Sequence, residues 1–263
     1  MDQDMATRFT LPGSEAPLWD RAEIARRVAL AREAEPDEAG AGRPPLRYLV
    51  GEATHIAEPL MRMFRKVDTP IAARPRKVLL LPGFATHPVR MRYMARQIEK
   101  SGHKVKRWGL GFNLGPTAEN IEQLERRLCE ITDRYGENLV LVGWSLGGLF
   151  ARELAHRHPD KVDKVITMGS PFSGSPRANR AWRAYQAITG HRVDAPPVDR
   201  DRTEKPPVET VAFWSPRDGI VSSRSACGRP GERDRAVALR CTHMGFSSSS
   251  ECIEAVLREL DDA

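Results

Sequence analysis

The chain has 263 residues, 40% hydrophobic and 29% charged, which is the composition of a folded, water-facing protein large enough for one sizeable α/β core. Its formal net charge of +6 comes from scattered arginines instead of a basic tract, which speaks against a nucleic-acid partner and leaves room for no more than peripheral contact with an anionic membrane. No apolar run reaches the ~18 residues that a membrane span needs, and the start Met1-Asp-Gln-Asp-Met-Ala-Thr-Arg8 lacks an apolar leader, so a cytoplasmic location is the expectation.

In chain order, residues 1–17 show no period and read as irregular. Residues 20–35 place Ile24, Val28 and Ala31 on one helical face, and the run Pro36-Asp-Glu-Ala-Gly-Ala-Gly-Arg-Pro-Pro45 breaks that helix. A second helical stretch covers residues 46–64 and contains His55, expected to be a packing or surface histidine. Arg76–Leu81 is the first strand, and residues 89–101 and 104–108 follow as helix and strand. The loop Gly109-Leu-Gly-Phe-Asn-Leu-Gly-Pro116 has the spacing G-x-G-x-x-x-G, which is not that of a dinucleotide-binding turn, so no such cofactor is expected. Residues 117–136 are an amphipathic helix with Ile121, Leu124, Leu128 and Ile131 inward.

The next stretch organises the chain. Leu139–Val142 is a short apolar run suited to a strand buried on both faces, and Leu146, Leu149, Phe150 and Leu154 then recur at helical spacing. The change of period falls on Gly143-Trp144-Ser145-Leu146-Gly147. A serine on so tight a turn needs strained backbone angles and small neighbours two residues to either side, which Gly143 and Gly147 supply. Its hydroxyl then stands at a helix start, where a backbone N–H can meet a developing oxyanion.

This segment resembles the nucleophile elbow of the α/β-hydrolase superfamily, and of its bacterial lipase- and esterase-like members in particular. The resemblance implies a chain order of nucleophile, acid and histidine. Val208–Trp214 reads as a strand with Asp218 just beyond its end, and Asp218 becomes the candidate acid ahead of Asp194, Asp199 and Asp201. Residues 236–240 are the last strand, and His243 behind it is the one histidine C-terminal to Asp218. A helix over 250–260 closes the chain. Ser145, Asp218 and His243 are thus the candidate catalytic residues, with backbone N–H groups of Leu146 and Phe84 as the candidate oxyanion donors. The superfamily usually has His-Gly before the second donor, where this sequence has Pro82-Gly83. His87, further along that loop, is expected to brace it. His156 and His158 suit the end of the elbow helix and are not expected to be ligands.

The strand at 164–168 runs into Gly169-Ser-Pro-Phe-Ser-Gly-Ser-Pro176, a further likeness to lipase-like hydrolases, and residues 172–207 are too long for a simple connection. In the superfamily such an insertion forms a cap or lid. Trp182 and Tyr185 within it, and Trp144 beside the serine, are the candidate substrate-binding residues, a packing role being the alternative for the cap pair. Cys129, Cys227, Cys241 and Cys252 show no metal-site spacing. They read as reduced thiols, with a Cys227–Cys241 disulfide as the alternative.

The reading is an α/β fold of the α/β-hydrolase type: a mostly parallel sheet of about six strands, beginning with the superfamily's third, a cap at 172–207 within a hydrolase domain at 71–263, and a helical extension over 1–70 that the resemblance does not explain. The activity implied is hydrolysis of a carboxylic ester of a small molecule or lipid through an acyl-serine intermediate, with no metal or cofactor. An acyltransferase using the same serine and a non-catalytic binding protein on the same scaffold are the alternatives.

Overall fold

Period-two alternation in the apolar strands sets the architecture. In the computed structural model, which describes residues 20–34, 42–53, 66–197 and 201–262, six strands form one sheet: β1 (Lys77–Leu81), β2 (Lys104–Arg107), β3 (Leu139–Trp144), β4 (Val162–Met168), β5 (Glu209–Trp214) and β6 (Arg235–Ala238). Their order is β2-β1-β3-β4-β5-β6 and every pairing is parallel. Parallel strands need crossover helices, which cover both faces.

One face of the sheet presents Val78, Leu80, Val140, Val142, Trp144, Ile166, Met168 and Phe213, packed against Met94 and Ile98 of α3 (Arg92–Lys100) and Ile253, Val256, Leu257 and Leu260 of α8 (Ser250–Asp261). The other presents Leu79, Leu81, Leu139, Leu141 and Val165 to α4 (Ala118–Tyr135) and α5 (Leu146–Arg157). The inward residues expected of α4 are those observed. Thr117 caps its first turn through Asn120 N, and Gly136 ends it in the left-handed conformation, φ 63°. Residues 89–91, expected as the start of the helix over 89–101, belong instead to a separate 3₁₀ turn, Pro88–Met91.

Strand order reverses between β1 and β3, so the loops leaving their C-terminal ends diverge and open a crevice, the usual ligand position in open α/β sheets. The Ser145 corner follows β3 at that point, and Pro82-Gly83-Phe84 follows β1. In the insertion after β4, α6 (Trp182–Thr189) lies over the crevice, and α7 (Ser223–Cys227) follows β5.

Two helices are described ahead of β1. Helix α1 (Arg21–Ala31), capped by Asp20, packs on α6. Helix α2 (Leu46–Glu52) lies against the loops that follow β5 and β6. The rest of the second predicted helix, with His55, lies outside the described residues. Among the described residues no helix is long and apolar enough to cross a membrane, and no group of three or more His, Cys, Asp or Glu side chains could hold a metal ion. All four cysteines are free, so the Cys227–Cys241 disulfide is not formed.

Candidate active site

Ser145 has φ 54° and ψ −121°, one of two non-glycine residues with positive φ among those described. Such a conformation costs on the order of 1–3 kcal/mol and persists only where its surroundings enforce it. Here they do. A Cβ on Gly143 would come within 2.4 Å of Gly147 O, and one on Gly147 within 2.2 Å of Leu81 O, so the corner closes only with glycine at both positions. Ser145 N donates to Met168 O at 2.8 Å, which ties the corner to β4.

Leu146 is the first residue of α5, so its N–H has no partner within that helix. Phe84 N is likewise without a hydrogen-bond partner among the described residues, and Gly83 beside it is so close to the corner that an added Cβ would lie 3.3 Å from Ser145 Cβ. Two open N–H groups therefore flank the serine. The strand end that carries Phe84 is held by Asn113 of the glycine-rich loop. Asn113 O accepts from Ala85 N at 2.7 Å, Asn113 N donates to Thr86 O at 3.0 Å, and Asn113 Nδ2 donates to Pro82 O at 2.7 Å. Ala85, the other residue with positive φ (54°), is fixed by this bracing, for which no histidine is needed. His87 accepts from Val89 N through Nδ1 at 3.2 Å and packs edge-on against Phe112, so it acts within its own loop.

Asp218 and His243 meet at the same end of the sheet. His243 Nδ1 lies 2.8 Å from Asp218 Oδ2, and both residues are buried. The second carboxylate oxygen accepts from Ile220 N and Val221 N, each at 2.8 Å, so every Asp218 acceptor direction in use is spoken for. A carboxylate at Nδ1 holds the proton there and leaves Nε2 as the basic nitrogen. Burial opposes charge on His243, but the adjacent Asp218 carboxylate, its hydrogen bond and the charge of Glu52 outweigh that, and the pKa is raised above the ordinary histidine value. No hydrogen bond joins the Ser145 hydroxyl to His243 among the described residues; in ligand-free sites such bonds are commonly long and tighten with substrate.

Trp144 corrects an expectation. Strand alternation turns it with Val140 and Val142 toward α3 and α8, away from the crevice; it is 1% exposed, and its indole Nε1 donates to His243 O at 3.1 Å with the ring against the imidazole. It supports the histidine loop and does not line the cavity. The other two expected substrate contacts do line it. A cavity of about 150 Å³ opens at Ser145, walled by Phe84, Leu146, Leu149, Trp182, Tyr185 and Ile220, with far more apolar than polar lining. Trp182 is also held by Arg177 and Arg183, whose guanidinium groups stack at 5.0 Å and 4.2 Å from its ring. His156 contacts Glu204 O and His158 contacts Glu125.

The sequence reading passed over Glu52. This carboxylate, 9% exposed at the end of α2, accepts from three backbone N–H groups: Gly219 and His243 on Oε1 at 2.9 and 2.7 Å, and Met244 on Oε2 at 2.9 Å.

Comparison with known proteins agrees with this architecture. The sequence model of the alpha/beta hydrolase fold matches residues 78–189, which include the corner but end before Asp218. Two solved lipolytic structures superpose over most of the chain. The metagenome-derived lipolytic enzymes LipS and LipT give a TM-score of 0.53 at 14% identity, covering 73% of this chain and 93% of theirs; the Bacillus licheniformis lipase BlEst2 gives 0.52 at 18%, covering 74% and 94%. The chain has the α/β-hydrolase fold. Among curated proteins, the pimeloyl-[acyl-carrier protein] methyl ester esterase of Vibrio cholerae is 37% identical over 86 residues, and that of Nitrosospira multiformis 28% identical over 114. These matches cover 32% and 40% of this chain and span only 31% and 42% of the relatives' length.

Proposed function

We propose that this α/β hydrolase cleaves carboxylic esters through an acyl-Ser145 intermediate, with residues 71–263 as the catalytic domain, 172–207 as its cap and residues 1–70 as an extension. The observation that carries the reading is the convergence, at one end of the sheet, of a serine held at φ 54° and a buried Asp218–His243 pair 2.8 Å apart.

In this reading, Ser145 Oγ attacks the acyl carbon while His243 Nε2 takes its proton, and Asp218 holds the ring orientation and balances the imidazolium that forms. The carbonyl oxygen gains negative charge, which the Phe84 and Leu146 N–H groups receive. His243 then returns the proton to the departing alkoxy oxygen, so that an alcohol leaves and an acyl-serine remains. Water, deprotonated by the same nitrogen, attacks the acyl carbon; collapse expels Ser145 Oγ, which recovers its proton, and a carboxylic acid leaves. Proton count and charge return to their starting values.

The apolar cavity under Trp182 and Tyr185 suits the acyl portion of a small-molecule or lipid ester, and the relatives named for pimeloyl-[acyl-carrier protein] methyl ester favour an aliphatic acyl chain. The reading retains a cytoplasmic location, with no nucleic-acid partner. Transfer of the acyl group to an alcohol would use the same steps with the alcohol in place of water, and product analysis with added alcohols separates the two. The test of the reading itself is a fluorophosphonate probe followed by mass mapping. Adduct at Ser145 in the wild type and none in His243→Ala is the expected pair; a folded wild type that takes up no probe would leave the scaffold as a binding protein.

A further inference from the structure

We infer that Glu52, from outside the hydrolase domain, is the positioning residue of the Asp218–His243 pair. The inference rests on the esterase reading above and concerns how the acid and base of that site are held.

Glutamate is poorly placed at Glu52 for any local purpose. It ends a seven-residue helix, where the negative end of the helix dipole opposes a carboxylate, and it is buried. A charge so placed is retained only when it is fully bonded. Each of its three bonds goes to the backbone of a loop that carries a site residue. Oε1 bridges two of them: it accepts from Gly219, the residue after Asp218, and from His243 itself. Oε2 accepts from Met244. One carboxylate thereby joins the loop after β5 to the loop after β6. The side-chain bond between Asp218 and His243 spans that same gap. Charged acceptors make the shorter and stronger class of hydrogen bond, and three of them on one group fix it in position and orientation.

The packing around the bridge leaves little slack. A Cβ on Gly219 would lie 2.5 Å from Tyr48 O and 2.6 Å from Tyr48 C, so α2 is in backbone contact with the acid loop. The second tie between the loops, Ser215 Oγ to Cys241 O at 2.5 Å, lies before both site residues. Glu52 is the tie that reaches His243.

Glu52 also acts through its charge. The titratable groups that face His243 are Asp218 from the loop after β5 and Glu52 from α2; β3 contributes the Trp144 ring and the histidine's own segment the Phe246 ring, neither of which titrates. The Cys241 thiol on the same loop is pushed up by burial and by Asp218 and stays neutral. Glu52 thus adds a second negative charge near the imidazole, which favours the imidazolium that forms as Ser145 is deprotonated.

The decisive experiment compares full-length wild type, Glu52→Gln and Glu52→Asp, reading the rate of fluorophosphonate labelling at Ser145 against pH together with kcat and KM on a p-nitrophenyl acyl ester. Gln keeps the shape, loses the charge and turns an N–H₂ toward one of the three donors. The expected result is a fall of about 10- to 100-fold in kcat and labelling rate, the size associated with losing a charged hydrogen-bond partner, with KM little changed and the acid limb of the profile moved to lower pH. Glu52→Asp keeps the charge but not the reach, so it should lose rate while its acid limb stays with the wild type. A folded Glu52→Gln protein that labels as fast as wild type, or that loses rate with its acid limb unmoved, overturns the inference by making Glu52 inert or merely structural. Should Glu52→Gln not fold, Glu52→Asp decides: reduced kcat with the wild-type limb supports the positioning role, and wild-type kcat ends it. A wild type unlabelled at Ser145 at every pH is a different failure, that of the esterase reading, and it removes this inference with it.

Discussion

The Ser145 corner and the segment before β1 reach one end of the sheet by opposite routes. Between β3 and α5 the turn that carries Ser145 is built by the residues beside it: the strand before, the helix after, and Gly143 and Gly147 opening space for the turn, with Met168 O holding the corner to β4. In the extension nothing local explains the residues. Glu52 is separated by 167 residues from Gly219 and by 191 from His243, its partners across the site. The difference teaches that a nucleophile must be built by its own backbone, because strain at one residue is enforced by neighbours. An acid and a base carried on two separate loops have no such local constraint, and any element that reaches both can set their distance.

The largest expected effect breaks the comparison on the elbow side. Ser145→Ala should lower ester turnover by on the order of 10⁴-fold or more with the melting temperature kept or raised, since removing the side chain from a strained position costs no packing. Steady-state kinetics beside thermal unfolding check both halves. Turnover within tenfold of wild type would mean that the chemistry lies elsewhere.

Next in size is Asp218→Asn. The amide can still accept from Ile220 N and Val221 N, so the loop stays folded, but His243 loses the carboxylate that fixes its tautomer. A fall of roughly 10³- to 10⁴-fold in kcat is expected. Among Asp194, Asp201 and Asp218, only Asp218 reaches His243, so the same change at Asp194 or Asp201 should alter kcat less than threefold or so, within the scatter of surface substitutions.

The raised pKa of His243 makes a paired prediction with opposite signs for rate and stability. Activity needs the neutral imidazole, so kcat/KM should rise with pH through a limb lying above the free-histidine value of about 6.5. Stability runs the other way. A folded pKa above the unfolded one means that the folded state binds the proton more tightly, so this contribution is complete below the unfolded value and lost as pH rises through the folded one. Imidazole NMR of His243 gives the folded pKa directly, and a value below that of a free histidine would contradict the balance of charges described above.

How much of this was legible follows from where each constraint lies along the chain. Six parallel strands, the inward face of α4 and the corner at Ser145 were readable because period and glycine spacing are local properties. Asp218 and His243 were readable by chain order after a strand end, and the structure brings them together. Trp144 follows the strand period, which puts it with Val140 and Val142 on the α3 and α8 face. Asn113 was hidden because its partners are backbone groups of the loop after β1. Glu52 carried no signal at all, since a glutamate near the end of a short helix looks like any solvated charge until its three backbone partners are known.

The smallest expected effect sharpens the comparison by dividing the extension itself. Helix α1 packs on α6 and not on the loops that carry Asp218 and His243. Arg27 is 3% exposed, its guanidinium donates to Ile188 O at the end of α6, and Glu23 holds it by an ion pair of 2.6 Å; Gln186 of α6 donates back to Leu30 O. Glu23 binds Arg26 as well, and together the two arginines hold its carboxyl down at about 2. Its contribution to docking is therefore present above the ordinary carboxylate range and lost only as pH falls toward that value. Glu23→Gln removes the charge and leaves Arg27 bonded to Ile188 O, so destabilisation of about 1–2 kcal/mol is expected, seen as a small drop in melting temperature and faster protease clipping ahead of Arg32. Because no α1 contact reaches Ser145, Asp218 or His243, kcat on a short-chain ester should stay within about twofold. If it falls as far as in Glu52→Gln, the extension acts as one rigid brace from cap to histidine; if it stays, α1 supports the cap while α2 alone serves the acid and base.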